Sequence, residues 1–277
     1  MKALEFATLA TIAHKGLHDA KRHRWFVTFT VLFAVVGLAL SASGFLSAGT
    51  LSVAGFGRTT ASLVNFVLLL VPLMGLLLGA LSVATEREQG TLEMLLTQPI
   101  IPAELLLGKW LGLAGALAAA VTLGFGLSAF VIAFSATAEQ LGSYLTLWLF
   151  TLSLGWAHLS VGMLLSVAAP KSSTAVSWAL FLWLTVVLLS DLGVLGTAIV
   201  LRLSPQSLLW LALFNPAQVF RIAVLRALQG NLELLGATGM YATEVFGKAL
   251  LTFLTALLAL WVVAPMLIAL WLFARRP

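Results

Sequence analysis

Cysteine is absent from the chain. That excludes disulfides, thiolate metal sites and cysteine nucleophiles, and it leaves the compartment open. Charge is scarce as well: 9% of residues are Asp, Glu, Lys or Arg, against about 25% in soluble globular proteins. Catalytic signatures are missing too. There is no G-x-x-x-x-G-K-[ST] run, since Gly108-Lys109 and Gly247-Lys248 lack both the preceding glycine and the following Ser or Thr. Without that phosphate-cradling loop the chain is not expected to hydrolyse ATP alone. The serine-hydrolase elbow G-x-S-x-G and the zinc signature H-E-x-x-H are likewise absent.

What is present is apolar. Residues of the hydrophobic class make up 61% of the chain and the mean hydropathy is +1.08. A hydrocarbon core of ~30 Å needs about 20 apolar residues per helical crossing. On that rule we read six spans, at residues 25–47, 61–84, 105–135, 143–169, 173–200 and 247–273. The runs are continuous rather than alternating, so helices are expected and a barrel is not. The expected class is an all-α integral membrane protein with one transmembrane domain over residues 1–277.

Charge placement sets the orientation. With both ends inside, Lys2, Lys15, Lys21, Arg22, Arg24, Arg87, Lys109, Lys171, Arg275 and Arg276 are cytoplasmic. Arg58, Arg202, Arg221, Arg226 and Lys248 are outside, so ten cations stand against five, as the positive-inside rule expects. This accounts for the basic pI without nucleic acid. "KRHRW", an apolar run and "SAS" together resemble a signal peptide. The polar leader is long for one, so residues 25–47 are read as a retained span.

Residues 1–24 mix Leu4, Phe6, Leu9, Ile12 and Leu17 with polar positions and end on a basic cluster. They read as an interfacial helix, with its apolar side toward lipid and its cations toward anionic head groups. Residues 43–60, rich in Gly and Ser, read as an outer loop. Gly75-x-x-x-Gly79 and Gly108-x-x-x-Gly112 allow close helix approach in lipid. Pro72 and Pro265 are expected to kink their spans, neighbouring helices satisfying the freed carbonyls. Residues 201–246 form a large outer segment. In it Ser204-Pro205 and Asn215-Pro216 each look like an N-cap followed by proline at the first helical position. Phe220, Val224 and Leu228 share a face there, while Arg221 and Arg226 lie off it. The segment is expected to be helical and either to rest on the outer interface or to receive a partner.

His158 and Asp191 are ionisable residues within spans. Such residues usually face a bundle interior; His158 is expected to bond Ser153, Ser160 or a neighbouring helix, and Asp191 to cap a helix near the outer end. No ionisable group is paired with either in sequence, which argues against an intramembrane enzyme. His14 and His18 share a helix face, but two ligands alone make a weak metal site. The methionines do not pair within any span, whereas a pore for soft copper ions would present paired ligands. No metal site is read from the chain.

The exception to the apolar pattern is "EREQGTLEMLLTQP", Glu86 to Pro99. Glu86, Arg87 and Glu88 leave the membrane on the inner side, Gly90 interrupts the helix, and Thr91 is placed to cap a new one. Glu93 falls in its first turn, where the helix dipole favours an acid. Leu92, Leu95 and Leu96 form one apolar face, expected to look into the cytoplasm; such a patch usually marks a contact. Pro99 closes the segment, and Pro102 and Glu104 start the next helix.

"ATEREQGTLEMLLTQPI" closely resembles the segment E-R-E-x-G-T-L-E-x-L-L-x-x-P of the ABC-2 type permeases. The six-span plan, the leading helix and "NPAQVFR" before the last span extend the likeness over nearly the whole chain. The resemblance implies an ABC-2, type V exporter-like permease fold, with residues 1–24 as elbow helix, 85–104 as cytoplasmic coupling segment and 201–246 as extracytoplasmic helical segment. It implies a homodimer in the bacterial inner membrane, met by a dimer of cytoplasmic ABC ATPases that binds Mg-ATP, and no cofactor on this chain. Glu86, Arg87, Glu88, Gly90, Thr91, Leu92, Glu93, Leu95, Leu96 and Pro99 become the coupling candidates. Asn215, Pro216, Phe220, Arg221 and Arg226 become candidates for contact with a periplasmic partner. Within the family the likeness is to the branch serving copper-site maturation of nitrous oxide reductase. Export of another solute (a lipid, drug or sulfur compound) and a mechanical scaffold that moves no solute are the alternatives.

Overall fold

A computed structural model describes residues 6–22, 24–47, 53–98, 100–133, 138–189, 204–229 and 236–275. The secondary structure among them is helical throughout. The order is α1 (Phe6–Arg22), α2 (Arg24–Ser47), α3 (Val53–Glu88), α4 (Thr91–Leu96), α5 (Pro102–Ala133), α6 (Ala138–Ala168) and α7 (Ser172–Trp183). A π-helical turn, Leu184–Leu189, extends α7. Then come α8 (Pro205–Leu213), α9 (Pro216–Gln229), α10 (Gly236–Phe246), a 3₁₀ turn and α11 (Leu250–Arg275).

Among the described residues, five helical stretches are long and apolar enough to cross a membrane: Arg24–Ala42, Ser62–Glu88, Pro102–Ala129, Gly142–Ala168 and Tyr241–Arg275. A sixth crossing arises if α8 and α9, bent by 111° at Phe214-Asn215, count as one span. The span expected at 173–200 is described only as far as Leu189; its remainder, with Asp191, lies outside the described residues. The outer loop expected at 43–60 is shorter than the sequence suggested, because α2 continues to Ser47 and α3 begins at Val53. Once a helix is running, each further residue adds a backbone hydrogen bond, and Ser and Gly are carried along. At 1.5 Å per residue, the 36 residues of α3 reach about 54 Å, well beyond the hydrocarbon layer.

α3 and α6 form the centre. Gly75 and Gly79 lie against Gly155, Leu159 and Gly162 so closely that the two backbones touch. Thus the small-residue spacing in α3 is used inside one chain. Indole N–H groups tie the surrounding helices: Trp110 donates to Ser160 at 2.9 Å and Trp156 to the Ala114 carbonyl at 3.2 Å. Trp183 of α7 donates at 2.9 Å to the carbonyl of Leu69, in the turn preceding Pro72. In hydrocarbon, where lipid offers no hydrogen bonds, such donors hold helices together.

α1 is helical as expected, but its apolar side meets protein rather than lipid. Gly108 and Gly112 of α5 leave room for Ile12 and the backbone at Ala13, so the second glycine pair seats α1 on α5. α9 also differs from its expected place. Val219, Phe220, Ile222, Ala223 and Val224 are buried, packed in one cluster with α3, α6 and α11. A helix buried on this much of its surface belongs to the bundle, not to an interface plane. The caps before the prolines of α8 and α9 do form: Ser207 N–H donates to Ser204 Oγ at 3.3 Å, and Ala217 N–H to Asn215 Oδ1 at 2.9 Å.

Candidate functional site

The charged run at the end of α3 binds inward, each residue to a different helix. Glu86 forms an ion pair with Lys109 of α5, whose ammonium also donates to the Ser82 carbonyl at 2.9 Å. Arg87 Nη1 donates to the Val167 and Ala169 carbonyls at 3.2 and 2.8 Å, and to that of Ser166 at 3.3 Å. These are the unpaired carbonyls at the end of α6, where a cation is favoured by the helix dipole. Glu88 Oε2 accepts from the Ser172 backbone N–H at 3.1 Å and from its hydroxyl. That places an acid on the free N–H groups opening α7. Just above, Ser166 Oγ accepts from Val83 N–H and Ala84 N–H at 2.9 and 2.8 Å. The Glu88 end of α3 is therefore fastened to α5, α6 and α7 within three consecutive residues.

Gly90 then reverses the chain. Its φ of 73° lies in the left-handed region, where a side chain is strained and glycine is not. Thr91 does not cap α4 as expected. It is the first helical residue, and its hydroxyl donates at 3.3 Å to the Glu86 carbonyl, closing the end of α3. Gly90 occupies the N-cap position without a side-chain bond.

The leucine face of α4 also points elsewhere than the sequence suggested. Leu92 is buried beside Val83, Leu106, Met163 and Phe273, and Leu95 packs against the same cluster. With every neighbouring element apolar on that side, burying leucine against the bundle removes more surface from water than facing solvent would. The side chain of Leu96 and residue Pro99 lie outside the described residues. What α4 presents outward is Thr91, Glu93, Met94 and Thr97. Met94 is 72% exposed, a large apolar side chain lifted from the surface on a helix anchored by leucines.

Sequence reasoning missed Met94 and Lys109. Lys109 carried a signal, because a cation inside an apolar run requires an acid close by; Met94 carried none. Glu104 starts α5 as anticipated, its Oε2 accepting from Ile101 N–H at 3.1 Å in a reciprocal cap.

On the opposite face of the bundle, Asn215 joins two elements. Its Nδ2 donates at 2.8 Å to the Val186 carbonyl in the π-turn that ends α7, while its Oδ1 caps α9. Pro216 and Phe220 are buried. They shape the α8–α9 hairpin from within, a correction to their expected place on a contact surface. Arg221 and Arg226 are half-buried and engaged with other groups. His158 is buried; its Nδ1 donates to the Leu154 carbonyl one turn back at 2.9 Å. Ser153 bonds Leu149 and Ser160 receives Trp110, so neither serine partners His158. Its Nε2 has no partner among the described residues.

Comparison with known proteins agrees with this geometry. Residues 10–277 match the model of the ABC-2 family transporter protein. A probable ABC transporter permease protein NosY of Stutzerimonas stutzeri is 34% identical over 273 residues, covering 96% of this chain and 97% of the relative. The protein of the same description from Pseudomonas aeruginosa is 36% identical over 275 residues, covering 96% and 98%. Permease subunits of this kind are not enzymes in themselves and imply a partner ATPase. A helical membrane bundle with α4 raised on a charged, three-way root, matched along nearly its whole length, belongs to the ABC-2 transporter family as a permease subunit similar to NosY.

Proposed function

We propose that the chain couples the ATP cycle of a cytoplasmic ATPase dimer similar to NosF to work on the far side of the bacterial inner membrane. Both chain ends are cytoplasmic in this reading, and two copies of the chain stand side by side. Mg-ATP is bound by the ATPase, and a periplasmic protein similar to NosD receives the motion. The purpose served is maturation of the copper sites of nitrous oxide reductase.

The observation that carries the reading is the root of α4. A push on Met94 and Glu93 is delivered through Leu92 and the end of α3, and Glu88 hands it to the start of α7. α7 is held again at its other end, where the Val186 carbonyl accepts from Asn215. Val186 stands 14 positions beyond Ser172, a span of about 21 Å at helical rise. This is a rod clamped at both ends, joining the α4 face to the α8–α9 hairpin. Rigid-body displacement of packed helices is a common way to carry such motion.

Asn215→Ser tests the rod without removing the helix cap, because serine caps well but is too short to reach Val186. The variant is expected to retain ATPase assembly and ATP hydrolysis while a strain carrying it loses copper loading of its nitrous oxide reductase. Full copper loading in that strain would refute transmission through α7. ATP-dependent accumulation of a solute in reconstituted vesicles would distinguish transport from purely mechanical work.

A further inference from the structure

A cavity of about 670 Å³ lies between α1, the inner end of α3, the segment after α4 and α5. Its size falls in the range of small-molecule sites, roughly 300–1,000 Å³. Its lining changes character along its length. On α3, Leu78 and Leu81 give way to Ser82, Thr85 and Glu86 toward α4; on α5, Leu113 stands one turn beyond Lys109. Two residues of α1, Lys15 and Asp19, line the same space and are exposed. They are four residues apart and so share a helix face.

From this arrangement we propose that the cavity holds one phospholipid with a zwitterionic, primary-amine head group, phosphatidylethanolamine. The apolar end lies along the membrane-crossing part of α3, and the charged end lies beside α4, at the end of that crossing. That is the polarity gradient of a lipid at the boundary between acyl chains and head groups. The charged end carries two cations and two carboxylates. Basic pockets select anionic lipids; a balanced one does not.

Lys109 is already neutralised by Glu86 Oε2. Lys15 has no ion pair at salt-bridge distance with a described residue and is available to the phosphate. Asp19 and Glu86 Oε1, which has no hydrogen-bond partner among the described residues, are available to the ammonium. An ammonium with three N–H donors can bond both carboxylates, as a lysine head group does. The quaternary amine of phosphatidylcholine has no donor to offer. The inference stands apart from the coupling reading, since the site requires only a membrane.

The test is native mass spectrometry of the permease–ATPase complex released from nanodiscs. One set contains phosphatidylethanolamine with phosphatidylglycerol, the other phosphatidylcholine with phosphatidylglycerol. Wild-type chain is expected to retain one phosphatidylethanolamine, and no phosphatidylcholine. Lys15→Gln with Asp19→Asn should lower phosphatidylethanolamine occupancy by about tenfold. Exposed α1 positions tolerate such changes within about 0.5 kcal/mol, so the complex remains assembled; His18→Gln, outside the cavity, serves as control. Equal retention of all three lipids, or wild-type retention by the double variant, would overturn the proposal. Displacement of the lipid by soluble glycerophosphoethanolamine would overturn the lipid assignment in favour of a free phosphoethanolamine site.

Discussion

Glu86→Ala is expected to destabilise the bundle by about 3 kcal/mol, and adding Lys109→Met is expected to restore most of the loss. Lys109 is 8% exposed, and its partners are the Glu86 carboxylate and one neutral carbonyl. Removing the carboxylate leaves a buried ammonium uncompensated; breaking such pairs costs about 3–5 kcal/mol, whereas replacing both members by apolar residues is often neutral. The Glu86 side chain is 24% exposed, so water relieves part of the penalty and the lower end applies. Equilibrium unfolding in mixed micelles, run as a double-mutant cycle, reads the coupling directly. Additive losses at the two positions would mean that the pair contributes nothing.

The second large effect is expected at Gly79, where leucine should abolish the folded bundle. A Cβ there would stand 2.5 Å from the Leu159 carbonyl oxygen, 2.6 Å from Met163 N and 2.7 Å from the Gly162 carbonyl carbon. All three are backbone atoms of α6, so no side chain can turn aside and the helices must part. Overpacking by a methyl group alone costs about 1–3 kcal/mol, and leucine adds three further carbons at a crossing where the backbones already touch. Parting the helices would also stretch the Ser166 bonds to Val83 and Ala84. The monodisperse fraction on size exclusion should collapse for Gly79→Leu. It should stay at wild-type level for Gly126→Ala, whose Cβ meets nothing within 4 Å. A folded, assembled Gly79→Leu chain would show that the crossing is not as close as described.

The fold was legible wherever a local pattern determines it. Apolar runs located α3, α5, α6 and α11 because a helix in lipid must satisfy its backbone internally, and Ser204, Asn215 and Gly90 marked helix ends by chemistry confined to a few residues. Long-range pairing was not legible. That Arg87 would cap α6, or Glu88 the start of α7, depends on residues about 80 positions away, with no periodicity to announce them. The same charged run roots α4 in the bundle through Glu86, Arg87 and Glu88, while Leu92 and Leu95 lie on the side opposite to the one the sequence suggested. Leu92 and Leu95 are apolar in either case, and only the neighbouring α5, α6 and α11 decide that they turn inward. α9 misled for a related reason: its two arginines suggested a surface helix, yet only the packed bundle shows how little of it reaches solvent.

The most direct test of coupling uses the absence of cysteine, which makes any introduced thiol unique within this chain. Met94→Cys, labelled with a short thiol-reactive photo-crosslinker in the assembled complex, should join this chain to the ATPase in high yield, and Phe214→Cys on the α8–α9 hairpin should not. No ATPase adduct from position 94, with the unlabelled thiol at that position in the assembled complex free to react with a bulky soluble maleimide, would contradict the account.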